Sequence, residues 1–433
     1  PERILIFAID GLASDVFRHS LQAGALPNIS KLFSGESTSA ALHLNAVSTA
    51  PSITFCSHAS IFTGLQPKQH GILFNQFFDR FGMHSGGIPR FYAFDLGGTY
   101  EIDDAVNVFI GKGLINNLLP KDRQTIYESA GKAGLNSLVA NNMLSRGAST
   151  WLKPSVADVA RLISGKGPGR MSPEDFDRKM VNRVLGHLDK KDCPAVMTLY
   201  FLGLDHESHH HGRQIQPEYL RDVIDVQIGR LLSRLDKQGA LNHLMAVFVS
   251  DHGQVDVIED DRHSLRLSFP FDREMAYLFD ALGLDVHDFP GEDPNCDAVA
   301  ACNGGMAYVY LRHRAGTWKD VPRFSEDILP VAQALWETNL TGRYSSDMLG
   351  SLAAVLIRNA ESEGWNSPYR VFSPSHLETL EHFLFKHPEI HQLEAVSRLS
   401  DLTGPLAGDL LLLANYQEHF YFGSPVKATH GGI

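Results

Sequence analysis

Apolar runs that stop at an acidic residue recur along this chain. Ile4-Leu5-Ile6-Phe7-Ala8-Ile9 ends at Asp10-Gly11, Ala195–Leu202 leads into Asp205, and Leu244–Ser250 ends at Asp251-His252-Gly253. A run that is apolar on both faces is what a strand buried inside a parallel sheet shows. Between these runs the spacing of apolar positions predicts helices at about 13–23, 26–33, 125–133, 173–188 and 218–238, and further strands at about 40–47 and 135–140. Strand, acidic end and helix in rotation describe an α/β fold: a doubly wound, mostly parallel sheet sandwiched by helices. In such folds the C-terminal edge of the sheet is where ligands bind.

Past Gln254 the rhythm changes. Residues 255–405 mix strands such as Met306–Leu311 with helices such as Leu329–Glu337 and Leu377–Phe385, and a core-like signature returns at Asp409–Ala414. The pattern predicts a core built from residues 1–254 and 406–433, with 255–405 as an inserted α+β cap region. Residues 84–122 have no clear period and read as a long loop.

Composition narrows the function classes. With 433 residues, 43% hydrophobic and 20% charged, the chain is long enough for a sizeable core and reads as soluble and globular. A net charge of -12 argues against a broad nucleic-acid-binding face, while a metal-lined site attracts small anions whatever the global charge. The four cysteines are too scattered for a disulfide framework or a zinc finger, leaving only Cys296 and Cys302 open to pairing. No apolar run is long enough to span a bilayer and no signal peptide is visible. The chain begins at Pro1 without Met, so both a cytoplasmic protein and an exported one with an upstream segment removed fit.

The candidate chemistry sits in two kinds of place. Thr54 follows Pro51 at the predicted start of a helix, where unpaired N–H groups and the helix dipole favour an anion. A threonine that only caps a helix has the same appearance, and Ser52 is a second hydroxyl nearby. Asp10, the Asp205/His209 group and Asp251-His252 stand at strand ends, and His430 stands in a glycine-rich stretch. Nitrogen and carboxylate ligands without thiolate suit Zn²⁺ or Mn²⁺. His206, His210 and His211 offer the same ligand type.

Taken together these motifs resemble the alkaline phosphatase superfamily, in particular its type I phosphodiesterase/nucleotide pyrophosphatase branch. The resemblance rests on Ile9-Asp10-Gly11, Pro51-x-x-Thr54-Phe55-x-x-His58 with Thr63-Gly64, His70-Gly71-Ile72, Asp205-x-x-x-His209-x-x-Gly212, Asp251-His252-Gly253 and Thr429-His430-Gly431. It implies two divalent metal ions, Zn²⁺ before Mn²⁺. One is expected on Asp205, His209 and His430, with the spacing favouring His209 over its neighbours, and the other on Asp10, Asp251, His252 and the Thr54 oxygen. It also implies Thr54 as nucleophile through a phospho-threonine intermediate, and a small phosphoester as substrate. Phosphodiesters or nucleotide-type pyrophosphates come first, a phosphomonoesterase or phosphonate hydrolase second, and a non-catalytic metal-binding protein third. Ser57, Phe55 and Asn75 are the candidates for touching substrate. The branch usually carries Pro-Asn after Thr-Phe, where this chain has Cys56-Ser57, so its substrate preference is expected to differ. Phe55, Phe77 and Phe78 near the site, with no evident arginine, favour diesters.

Overall fold

A computed structural model describes residues 2–34, 39–94, 106–163, 170–267, 274–390 and 394–433. The chain divides into two compact units: Pro1–Ser48, Ile61–Gly64 and Val106–Val255 form the first, and Thr49–Ser60, Leu65–Ala105 and Asp256–Ile433 the second.

The first unit is built on a parallel sheet ordered Thr150–Leu152, Ser137–Ala140, Val196–Phe201, Arg3–Ile9, Leu244–Val249. Arg3–Ile9 lies in the interior, with Ile4 opposite Val196 on one side and Met245 on the other. That position is why its sequence is an unbroken apolar run: Leu5, Phe7 and Ile9 are buried with Met197, Leu199 and Phe201. The flanking helices start where their sequences say they should. Ser172 accepts the Asp175 N–H ahead of helix Pro173–Leu188, and Thr125 forms a reciprocal cap with Glu128 ahead of Ile126–Lys132. Since all the strands run in one direction, Asp10 and Asp251 emerge at one edge of the sheet, where Val196–Phe201 also passes into helix Gly203–His211.

Three local expectations need correction. Residues 40–47 form no strand; Leu42 and Val47 remain 45% and 43% exposed, and alternation without a neighbouring backbone to pair with does not make a strand. The stretch read as loop carries strand Arg90–Ala93 and helix Leu114–Leu118, while 95–105 lie outside the described residues. The helix expected at Leu377 begins only at Leu380, after strand His376–Glu378 and the cap Thr379. Cys296 and Cys302 are free thiols.

The second unit holds a mostly antiparallel sheet ordered Val286–His287, Ala298–Asn303, Met306–Leu311, Leu410–Ala414, Leu352–Ile357, Arg370–Ser373, His376–Glu378. Leu410–Ala414 pairs on both sides, with Met306–Leu311 and Leu352–Ile357. Near its start a charged pair is sealed in the core: Arg80 Nη2 lies 2.6 Å from Asp409 Oδ2, with both side chains fully buried. The same carboxylate oxygen accepts the Leu311 N–H at 2.8 Å. Arg80 stacks over Trp365 at 4.7 Å, and buried Arg358 donates to the carbonyls of Trp365 and Gly404. No helix among the described residues is long and apolar enough to cross a membrane.

Candidate functional site

The edge of the first unit's sheet concentrates negative charge around one imidazole. Asp10 follows directly from Ile9, and Asp251 and His252 follow from Val249 after one residue. One ligand atom from each of Asp10, Asp251 and His252 lies within 4.8 Å of the others, and all three residues are buried. His252 Nε2 is 3.3 Å from Asp10 Oδ1 and 3.5 Å from Asp251 Oδ2.

Backbone contacts sort the atoms of this cluster. Asp251 Oδ1 accepts the N–H groups of Gly11 and His252, at 3.2 and 3.0 Å, which leaves Oδ2 facing the imidazole. His252 Nδ1 is 3.0 Å from the Gly253 carbonyl, so this nitrogen carries the hydrogen and Nε2 is turned towards the carboxylates. The Tyr200 hydroxyl donates to Asp10 Oδ2. Asp205 also approaches: a Cβ at Gly11, whose φ is +67°, would lie 2.7 Å from Asp205 Oδ1, so the turn after Asp10 needs glycine on both counts.

Electrostatics follow from that crowding. Burial, reinforced by Asp251 and Asp205, raises the Asp10 carboxyl well above its ordinary value, although His252 pulls it back. Burial on its own lowers the His252 pKa, but Asp251, Asp10 and Asp205 overcome it and push the group up to about 10. A cation at its centre would relieve a buried group of acceptors this close. Oxygen and nitrogen donors in this set fit a divalent metal ion, and without one a proton on His252 supplies part of the charge.

Helix Gly203–His211 carries the rest of the first unit's expected ligands. His209 Nε2 lies 3.2 Å from Asp205 Oδ2, whereas His211 pairs with Glu207 at 3.3 Å and the His206 ring sits 4.9 Å from that of His210. The start of this helix is held by Asp177 from helix Pro173–Leu188. Its oxygens accept from Leu202 N at 3.3 Å, Gly203 N at 3.2 Å and the Tyr219 hydroxyl at 2.9 Å. Burial pushes the Asp177 carboxyl up from 3.8 to about 7 despite those three donors. A carboxyl raised in the folded state contributes most when protonated below its unfolded value, and that contribution is lost as pH rises through about 7. Wild type is therefore expected to lose stability relative to Asp177→Asn across that window. Urea denaturation at a series of pH values measures it, and parallel curves for the two proteins would refute it.

The second unit contains Thr54 as the first residue of helix Thr54–Thr63, buried to 7% exposure. Asn75 Oδ1 accepts the Phe55 N–H at 3.1 Å, so Asn75 caps this helix. Ser57 is buried with its hydroxyl 3.1 Å from that of Thr49, and the Ser52 hydroxyl donates to Gly432 O at 3.0 Å. Gly431 N returns a bond to Ser52 O at 2.9 Å, which ties the chain ahead of Thr54 to the segment carrying His430. His430 is seated on the hairpin turn Gly304-Gly305: its carbonyl accepts from Gly305 N at 2.9 Å, and a Cβ on Gly304 would lie 2.0 Å from that oxygen. His58 is buried. His70 Nδ1 accepts from Ile72 N at 3.1 Å and Nε2 is 3.0 Å from Ser60 Oγ, and burial lowers its pKa to about 3, so it is a neutral structural residue. The three phenylalanines are packed: Phe55 meets Phe94 edge-on, Phe77 stacks on Tyr92, and Phe78 packs on Trp318.

Sequence reasoning passed over Tyr200, Asp177 and Gln254. Tyr200 had a usable signal, as a polar-tipped residue next to the end of an apolar strand; the other two are isolated polar residues with no local signature.

Comparison with known proteins identifies the family and the fold. The model of the type I phosphodiesterase / nucleotide pyrophosphatase family matches residues 4–328. An uncharacterized pyrophosphatase/phosphodiesterase of Schizosaccharomyces pombe is 26% identical over 258 residues, covering 58% of this chain and 44% of that protein. Human ectonucleotide pyrophosphatase/phosphodiesterase family member 1 is 26% identical over 254 residues, covering 58% of this chain and 23% of that protein. The chain thus spans less than half the length of the curated relatives it matches. Among solved structures, murine ectonucleotide pyrophosphatase/phosphodiesterase 5 superposes with a TM-score of 0.58 at 15% identity over 100% of this chain and 84% of its own, a likeness of fold. The chain belongs to the type I phosphodiesterase/nucleotide pyrophosphatase family.

Proposed function

We propose that this protein is a two-metal phosphoester hydrolase acting on phosphodiesters or nucleotide-type pyrophosphates. The observation that carries the reading is the buried convergence of Asp10, Asp251 and His252, an acceptor cluster that calls for a divalent cation. The first unit supplies Asp10, Asp251 and His252 for one ion, preferentially Zn²⁺, and Asp205 and His209 for the other. Thr54 and His430 are assigned as further ligands on the family's order of motifs alone. When bound, such ions lower the pKa of a nucleophilic hydroxyl and stabilise the attacking and leaving oxygens of a displacement at phosphorus.

The chain's own groups then have defined tasks. Thr54 Oγ1 forms the new phosphorus–oxygen bond as its proton passes to solvent, and the ester bond to the leaving group breaks. Water cleaves the phospho-threonine and restores the hydroxyl. Asn75 holds the start of the nucleophile's helix through Phe55 N, and Ser57, on the next turn, is the candidate for contacting the phosphoryl group. Burial of Phe55, Phe77 and Phe78 removes them as an apolar wall for a second ester group, so the preference for diesters rests on the family.

Metal analysis combined with hydrolysis of paired chromogenic mono- and diesters tests the reading. Two divalent ions per chain, loss of turnover on chelation and faster cleavage of the diester are expected. Asp251→Asn is expected to lose one ion and at least about 100-fold in activity. Full activity in a chelated, metal-free sample would remove the metal from the reaction.

A further inference from the structure

Gln254 lies three residues beyond Asp251, in the first unit, with only 5% of its surface exposed. Its Nε2 carries two hydrogens, and both are directed at one residue: one to Asp205 Oδ1 and the other to the Asp205 carbonyl at 3.3 Å. The two carboxylate oxygens of Asp205 are thereby made unequal. Oδ1 is committed to the amide and packed against Gly11, while Oδ2 stands 3.2 Å from His209 Nε2.

We propose that Gln254 is a positioning residue for the metal ion held by Asp205 and His209, gripping Asp205 so that Oδ2 alone is presented beside the His209 nitrogen. This rests on the two-metal reading above. The residue type is informative. A glutamate here would add another negative charge to a cluster that already contains Asp10, Asp205 and Asp251, whereas an apolar side chain of equal length would leave Oδ1 without this donor. Only a neutral group with two hydrogens holds Oδ1 and the backbone carbonyl of Asp205 without adding to the repulsion. The amide also bridges the two ligand-bearing segments, since it follows directly from the Asp251-His252-Gly253 turn and ends on helix Gly203–His211. A second amide reinforces the arrangement from the other side. Gln216, fully buried, accepts from Ala13 N at 3.3 Å and donates to Gly11 O at 3.0 Å and Ser208 Oγ at 3.2 Å, linking the turn after Asp10 to the same helix.

The test is zinc and cobalt titration of the full chain against a competing chelator, for wild type, Gln254→Met, Gln254→Asn and Asp205→Asn, with the melting temperature of each metal-free protein measured alongside. Gln254→Met keeps the length and loses the donor. It is expected to weaken one of the two ions about 10- to 100-fold and leave the other unchanged, with a metal-free melting temperature close to wild type and an altered cobalt absorption band for one site only. Gln254→Asn, whose amide falls a methylene short, is expected to weaken the same ion, and it carries the test if the methionine variant does not fold. Asp205→Asn must lose that ion altogether. If Asp205→Asn loses an ion while both Gln254 variants titrate as wild type, the role given to Gln254 is wrong and the metal reading stands. If wild type binds no ion, or Asp205→Asn keeps both, the metal reading falls and the role of Gln254 with it.

Discussion

Thr54→Ala is expected to lower kcat on phosphodiesters by on the order of 10⁴-fold or more while leaving the protein folded and able to bind metal through its Asp and His ligands. The size of the effect follows from what is removed. A hydroxyl that forms the new bond to phosphorus has no substitute in its own helix, because the other hydroxyl on the adjoining turn, Ser57, is turned towards Thr49 at 3.1 Å. Alanine also favours the helix and adds no group that must be accommodated at this buried position, so the loss is not a folding defect in disguise. Thr54→Ser, which retains the oxygen, is expected to keep a measurable fraction of the activity. Acid quenching of wild type during turnover, followed by peptide mass analysis, should find phosphate on Thr54 and none in the alanine variant. Undiminished turnover by Thr54→Ala would place the nucleophile elsewhere. Ser52 would be the first alternative, even though its hydroxyl donates to Gly432 O and its backbone exchanges bonds with Gly431 and Gly432.

The parts of the molecule that were legible in the sequence are those where a local pattern and a long-range role coincide. Arg3–Ile9, Val196–Phe201 and Leu244–Val249 read as apolar runs because parallel pairing buries them. Their acidic ends read as ligands because parallel strands deliver their C-termini to one edge. The second sheet was harder. Ala298–Asn303 and Leu352–Ile357 are rich in alanine, a residue with little β propensity, and neither run alternates. Residues 40–47 erred in the opposite direction, having alternation but no partner strand. The supporting amides and Asp177 were invisible for another reason: Gln254 and Asp205 are 49 residues apart, and Asp177 and Gly203 are 26 apart, separations at which one sequence carries no trace of contact.

Asp409→Ala is expected to be the most destabilising single change in the second unit, at about 3–5 kcal/mol. Two penalties add. Arg80 would be left as a fully buried guanidinium without its carboxylate, and the Leu311 N–H would lose its acceptor within the sheet. The neighbourhood offers poor relief, since Arg358 places a second buried guanidinium 5.5 Å from the same Trp365 ring. That ring also provides part of the readout: Trp365 stacks on Arg80 at 4.7 Å, and with Trp318 and Trp336 it puts three of the four tryptophans in the second unit, so emission during urea denaturation, compared with a Trp151→Phe background, follows that unit. The decisive comparison is with the double variant Arg80→Met/Asp409→Leu, which removes both charges and refills the space with apolar groups. Desolvating an ion pair costs nearly as much as its attraction returns, so the double variant is expected to recover much of the lost stability. It should not recover all of it, because Leu311 N still lacks its partner. A double variant as unstable as Asp409→Ala would mean that the backbone hydrogen bond, and not the stranded charge, dominates the loss.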